Sequence, residues 1–473
     1  MRNLVLAFML ALLGAGCTLG PDYVRPNLDM PAAWRIEAGE ANNLADTAWW
    51  GQFGDPVLSG LIDTALRENK DLLIATARIE EFEGRYGIVR ADLFPQVGAG
   101  ASYSRDQITR EAENKPAEGY ATLTETYSTT LNAAWEIDLW GRIRRSTEAA
   151  RAQLLGTEEA RRGVILSLVG NVAAAYVNLR GLDRQLEIAR NTVRSREGSY
   201  RIFQERYDGG IISLLELTQN KSQYEEAMAI IAPIEKAIAQ QENGLSVLLG
   251  RNPGPIPRGL PIEELTLPAV VAGLPSDLLE RRPDVRQAEQ ALVAANAQIG
   301  VAKAAYFPAI SLTGLFGFAS ADLKDLFRDS AQAWSYSAPV TVPIFTAGRI
   351  AGNVKAAEAI QRQALAGYRQ AVQNAFREVN DALTDQQQTG RQLDAQDKQV
   401  ASLRQYDEVA RLRYDEGYTD FLTVLDAERS LFNAELSFTQ TRVALHRAMI
   451  GLYKAMGGGW MNTVEQSAAT RAQ

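Results

Sequence analysis

One stretch of the chain repeats apolar positions at alternating spacings of three and four: Ile165, Leu168, Val172, Ala175, Leu179, Leu182, Leu186, Ala189 and Val193. This is an a/d heptad seam, with a polar face around Arg180, Arg184, Glu187 and Arg190. It predicts one helix over 142–206, about 95 Å long at 1.5 Å per residue, far longer than a compact core can cover. A second seam runs through Val372, Ala375, Val379, Ala382, Leu393, Val400, Leu403 and Ala410, interrupted by Gln386, Thr389 and Gln396. Gly209, Gly210 and Gly417 end the two outgoing helices, and return helices are expected over 214–249 and 420–456. Shorter helices are expected over 56–91 and 275–305, started by Asp55-Pro56 and Pro275-Ser276-Asp277. Four further stretches alternate with period two: 94–104, 120–135, 310–318 and 333–342. They are rich in Gly, Ser, Thr and aromatics, and each approaches the 9–11 residues of a tilted membrane strand.

These elements recur in the same order. Phe94-Pro95 returns as Phe307-Pro308, and Asn69-Lys-Asp71-Leu72 aligns with Arg282-Pro-Asp284-Val285, both 213 positions on. Gly141-Arg142-Ile143 returns as Gly348-Arg349-Ile350, and Tyr207-Asp208-Gly209-Gly210 as Tyr414-Asp415-Glu416-Gly417, now 207 positions on. The chain therefore divides into a first repeat, 56–250, and a second, 275–457. The first holds a hairpin over 94–138 and long helices over 142–249; the second holds a hairpin over 307–346 and long helices over 349–456. A Pro-rich linker, 251–274, joins them, and a polar tail, 458–473, follows Gly457.

Ahead of the repeats, Arg2 precedes an apolar run from Leu4 to Leu13 and the small residues Gly14-Ala15-Gly16. This is an export signal over 1–16, too short for a comfortable permanent span. Cys17, the single cysteine, stands directly after it, where bacterial lipoproteins accept diacylglycerol and an N-acyl chain. Gly14 occupies a place where leucine is usual, and Thr18 in place of Asp favours delivery to the outer membrane. The lipidated segment 17–55 is read as extended. Beyond residue 17 no further transmembrane helix is expected.

Four strands cannot seal a barrel. In lipid every unpaired backbone group costs several kcal/mol, and outer-membrane barrels have at least eight strands. Two copies would make eight strands and three would make twelve; an eight-stranded interior is filled by side chains, so transport favours three. Four copies satisfy the same arithmetic. The expected fold is a mixed α/β membrane protein: a homotrimeric twelve-stranded β-barrel, four strands per chain, continuous with a twelve-helix α-barrel.

The chain also resembles the outer membrane factor (TolC-like) family, in its multidrug-efflux lipoprotein branch. The resemblance lies in Cys17-Thr-Leu-Gly-Pro-Asp-Tyr-Val-Arg-Pro26, Trp49-Trp50-Gly-Gln-Phe53-Gly-Asp55-Pro56 and Ala65-Leu66-Arg-Glu-Asn69-Lys-Asp71-Leu72. It continues in Ala91-Asp-Leu-Phe94-Pro95, Leu278-Leu-Glu-Arg-Arg-Pro283-Asp284-Val285 and Leu422-Thr-Val-Leu-Asp426-Ala-Glu-Arg-Ser430-Leu. It implies a passive exit channel of a tripartite pump for drugs and other small amphiphiles, gated at its periplasmic end, in a Gram-negative outer membrane, with a long periplasmic extension. The implied partners are a periplasmic membrane-fusion adaptor, meeting the tips near Gly209, Gly210 and Gly417, and an inner-membrane transporter of the resistance-nodulation-division type. Leu422 and Asp426 resemble residues that narrow the periplasmic aperture, and Tyr224-Glu225 an aromatic–carboxylate pair that holds helices closed. Thr423 and Thr419 stand where some relatives carry a second carboxylate and an arginine. Arg411 and Arg413 are candidate partners for Asp426. Type I protein secretion shares this architecture, and a non-conducting envelope rod would explain the heptads but not the strands.

Composition narrows the field further. A net charge of −8 argues against nucleic acid as a partner. The lone His446 is accompanied by no phosphate loop, metal cluster or nucleophile elbow, so neither an enzyme nor a cofactor beyond the lipid is expected.

Overall fold

The computed structural model describes residues 18–27, 34, 48–109, 111, 122–267 and 278–457. The signal segment, Cys17 and the 458–473 tail lie outside the described residues, as do parts of the 17–55 and 251–274 segments.

After a 3₁₀ turn at Trp49–Phe53, the first repeat runs α1 (Pro56–Glu68), α2 (Lys70–Ala91), β1 (Gln96–Gln107), β2 (Leu123–Ile137), α3 (Arg142–Asp208) and α4 (Leu214–Leu248). The second runs α5 (Leu278–Arg281), α6 (Pro283–Ala304), β3 (Ala309–Ser320), β4 (Gln332–Ser337), β5 (Val340–Thr341), α7 (Arg349–Asp415) and α8 (Phe421–Ala455). The copies match closely: α3 and α7 each have 67 residues, α4 and α8 each 35, and β1 and β3 each 12.

Three expected elements differ from those observed. The helix expected over 56–91 breaks at Asn69, whose extended backbone ends α1 while its side chain accepts from Leu72 N at 3.0 Å to start α2. The helix expected over 275–305 breaks at the repeat-equivalent Arg282, ahead of Pro283. The strand expected over 333–342 is interrupted at Ala338-Pro339, because proline has no N–H to give the ladder; pairing resumes as Ser311 N donates to Pro339 O at 3.1 Å.

Two compact units are distinguished. The first holds the strands, the adjoining helix segments and residues 18–27. Its sheet order is β1-β2-β3-β4, with β5 also on β3, and every pairing is antiparallel. Small residues let helices approach beneath it: Ala149 and Ala152 of α3 pack on Ala294 and Ala297 of α6. Residues 18–27 are held against these helices. Arg145 donates to Leu19 O and Asp22, Asn296 donates to Pro21 O, and Glu289 accepts from Arg25 and Tyr23.

The second unit carries the main core. Ile165, Leu168, Val172 and Leu179 of the predicted seam are buried, but so are Val169, Ala173, Tyr176 and Val177. The buried face is therefore wider than an a/d stripe, because Trp49, Phe53, Leu58, Ile62 and the linker residues Ile256 and Ile262 cover α3 from another side. By length and hydropathy α3 also qualifies as a membrane span, where none was expected beyond residue 17. An 18-residue window of α3 reaches a mean hydropathy of 1.3, and more than half of it is buried in this core. Asp55 ties the covering segments down: its carboxylate accepts from Val57 N, Leu260 N and the Tyr176 hydroxyl, the last at 2.6 Å. Arg180, assigned to the polar face, donates to Leu260 O and pairs with Asp183.

Candidate functional site: conduit face and aperture

Side chains directly opposite in an antiparallel pair share a face, so the register sorts the sheet into two surfaces. One carries Val97, Ala99, Tyr103, Tyr127, Leu131, Trp135, Ile310, Leu312, Phe316, Phe318, Trp334 and Tyr336. The other carries Gly98, Gly100, Ser102, Ser104, Thr126, Ser128, Thr130, Asn132, Ser311, Thr313, Ser335 and Ser337. On that second face hydroxyls meet across strands, Ser102 with Ser128 and Thr313 with Ser337, each at 2.7 Å. The apolar face is bare: Tyr336 is 81% exposed and Trp334 65%. Apolar outside and small polar inside is the division a lipid-bound, water-filled barrel requires. Among the described residues, the outer edges of β1 and β4 have no strand partner.

At the ends of the strands the backbone turns into helix at built junctions. Trp135 Nε1 donates to Leu93 O at 3.0 Å, and Trp140 Nε1 donates to Pro308 O at 2.8 Å. Asp138 caps α3 by accepting from the N–H groups of Ile143 and Arg144. Glu136 holds Arg142 by two bonds of 2.7 and 2.9 Å.

At the opposite ends of the long helices, Gly210 and Gly417 take φ of 74° and 78°, the left-handed region, and close the turns. The return helices then start on side-chain caps: Ser213 and Glu216 form a reciprocal box, and Asp420 accepts from Thr423 N at 3.1 Å. Apolar side chains are exposed beside these turns, with Ile211 at 75% and Tyr418 at 74%.

Leu422 and Asp426, one turn apart on α8, line a cavity of about 620 Å³ with Gln219 and Gln223 of α4, Tyr406 of α7, and Arg429. Asp426 pairs with Arg429 at 3.1 Å, in place of Arg411 or Arg413; Arg411 turns away to Asp407 and Glu428. The spacing of three puts Arg429 on the same helix face as Asp426, a relation the sequence spacing itself carries. Tyr224 and Glu225 are not brought to this cavity. Tyr224 stacks on Tyr200 of α3, with ring centroids 6.0 Å apart, and Glu225 faces Lys221 at 3.8 Å. Thr419 donates to Thr423, so these positions form a hydroxyl pair.

His446 is fully packed. Its ring nitrogens lie against Arg442 O and Leu265 O, and burial pushes its pKa down, favouring the neutral ring. Among the described residues no group of three His, Cys, Asp or Glu is placed to hold a metal ion.

Known proteins share this organisation. The solvent efflux pump outer membrane protein SrpC of Pseudomonas putida is 38% identical over 461 residues, covering 96% of this chain and 97% of its own. The cation efflux system protein CusC of Escherichia coli K12 is 38% identical over 461 residues, covering 96% and 99%. The open-state structure of the MtrE outer membrane channel of Neisseria gonorrhoeae superposes with a TM-score of 0.84 at 32% identity, covering 94% of this chain and 99% of that one. The family model for outer membrane efflux proteins matches residues 61–251 and 274–458, one match for each repeat. By both sequence and fold, the chain belongs to the outer membrane efflux protein family.

Proposed function

We propose that three copies of this chain form the outer-membrane exit channel of an efflux pump, a passive duct gated at its periplasmic end. The observation that carries this reading is the two-faced sheet with both edges open, running directly into long helices. Because β1 and β4 point oppositely, β4 of one copy meets β1 of the next as an antiparallel pair, and three copies close twelve strands. A non-conducting rod has no use for a hydroxyl-lined second face.

The cargo is small molecules or ions passed up from an inner-membrane transporter of the resistance-nodulation-division type through a periplasmic adaptor. The relatives named for solvents and for cations support both chemistries; the hydroxyl-rich face also carries Asp106 and, at its helix end, Glu136 paired with Arg142. The exposed Ile211, Leu214, Leu215 and Tyr418 near the glycine turns form the adaptor-facing tips. Leu422 and the Asp426–Arg429 pair narrow the aperture, repeated around the threefold axis. Diacylglycerol and an N-acyl chain on Cys17 add a second anchor beside the barrel.

Planar-bilayer recording of the purified protein tests the channel. Stepwise conductance is expected, rising when Asp426 and Tyr224 are both replaced by alanine; a silent bilayer overturns the reading. Cys17→Ser should remove the lipid, seen by mass spectrometry, and leave the protein in the membrane fraction through its barrel.

A further inference from the structure

Two residues beyond Asp426 and some 200° around α8, Glu428 points away from the aperture into the helix packing. Its side chain is 11% exposed and accepts from Arg411 of α7 at 2.7 Å. Arg411 Nε also donates to Asp407 at 3.1 Å. From α3, the buried Arg196 donates to the backbone oxygen of Gln223 on α4 at 2.7 Å and lies over the Phe432 ring of α8. Four helices thus converge on one charged cluster, and Gln223 joins it to the cavity lined by Asp426. The cluster is under-satisfied: Arg196 Nε and Asp407 Oδ1 are both buried without a hydrogen-bond partner. The charges acting on Glu428 are Asp407 and Arg411 from α7 and Arg196 from α3; Glu226 of α4 acts on Arg196 in turn.

We propose that Glu428 is a proton-responsive positioning residue for the aperture: neutral, it keeps α8 packed on α3, α4 and α7, and ionised, it favours parting and hydration of these helices. This rests on the channel reading and deepens it. The cause is desolvation. Burial disfavours the Glu428 carboxylate, and Asp407 adds to this, beyond what Arg411 and Arg196 recover, so its pKa is raised. The same burial lowers the pKa of Arg196. A buried ion pair of this kind costs more than it returns unless fully hydrogen-bonded. The packed arrangement therefore binds the proton more tightly than the hydrated one does. Protonation favours closure, and that bias is lost as pH rises from the ordinary carboxylate range through the raised value.

The test is open probability of the full-length protein in planar bilayers between pH 4 and pH 8, with Glu428→Gln and Asp426→Asn. The wild type should open several-fold more often as pH rises. Glu428→Gln, which keeps the shape and loses the charge, should stay at the low level throughout, while Asp426→Asn should keep the slope. A wild-type slope in Glu428→Gln, or a flat profile in Asp426→Asn alone, overturns the proposal. A second readout needs no current: spin labels on Leu422→Cys in a Cys17→Ser background, with distances measured between copies. Those distances should widen with pH and stop doing so when Glu428→Gln is added; widening that persists overturns the proposal. Absent conductance with pH-dependent distances would instead fault the channel reading.

Discussion

Helices α2 and α6 occupy the same place in the two repeats, each leading from a break at Asn69 or Arg282 into the first strand of its hairpin. Their surroundings differ. In α6, Val285, Leu292 and Ala297 are each at most 1% exposed, while α2 buries only Leu72 and leaves Ile74 66% and Ile88 71% exposed. The pairing partner explains the contrast. α6 lays Ala294 and Ala297 on Ala149 and Ala152 of α3. The repeat equivalents are Glu81 and Gly84 on α2, and Ala356 and Ala359 on α7. Nothing lies within 4 Å of where a Cβ would stand at Gly84 or Gly87. Under the trimeric reading, α2 of one copy packs on α7 of the next as α6 packs on α3 within a chain, and the chain carries a template of its own interface.

The sharpest way to break this comparison is to put the same bulk at both places. Ala297→Trp should exceed the roughly 1–3 kcal/mol usual for an overfilled core and abolish folding, read by circular dichroism. Gly84→Trp should leave helicity intact, since it removes a helix glycine, yet abolish trimers on native mass spectrometry. Trimers surviving Gly84→Trp would remove α2 from the interface. Next in size, Gly84→Cys with Ala356→Cys should give disulfides between chains under oxidation, and intrachain bonds alone would contradict the template.

Smaller effects sharpen the asymmetry. Glu289 of α6 receives Arg25 and Tyr23, and Tyr23 has a raised pKa through burial and this carboxylate. Glu289→Gln should cost about 1–3 kcal/mol in thermal unfolding, as hydrogen bonds to a charged group are lost. Its repeat equivalent on α2 is Thr76, which accepts from Arg161 at 3.1 Å. Thr76→Ala should cost about 1 kcal/mol or less.

Much of this organisation was legible because it is periodic. The heptads through Ile165 and Val372, the alternation at 94–104 and 310–318, and the glycine reversals at Gly210 and Gly417 each follow from local spacing. The aperture was less legible. Leu422 and Asp426 are marked only by the family resemblance, while Arg429 stands one turn on, where i, i+3 spacing places it beside Asp426. Arg196 stands 215 positions before Arg411 and 232 before Glu428, on three different helices, and no spacing rule joins them. The break at Ala338-Pro339 follows from the missing N–H of proline, but the period-two alternation runs through it and masks it.

The sequence by itself determined the repeat, the helix and strand periods and the excess of unpaired strand edge, because each depends on residues within a few positions of one another. Tertiary structure alone decided which face of α3 is covered, which arginine meets Asp426, and that the Glu428 side chain is largely shielded from water. Those outcomes depend on segments such as Trp49–Ile62 and Ile256–Leu265 returning across large sequence separations, where removal from water, and not local spacing, sets the energy of each group.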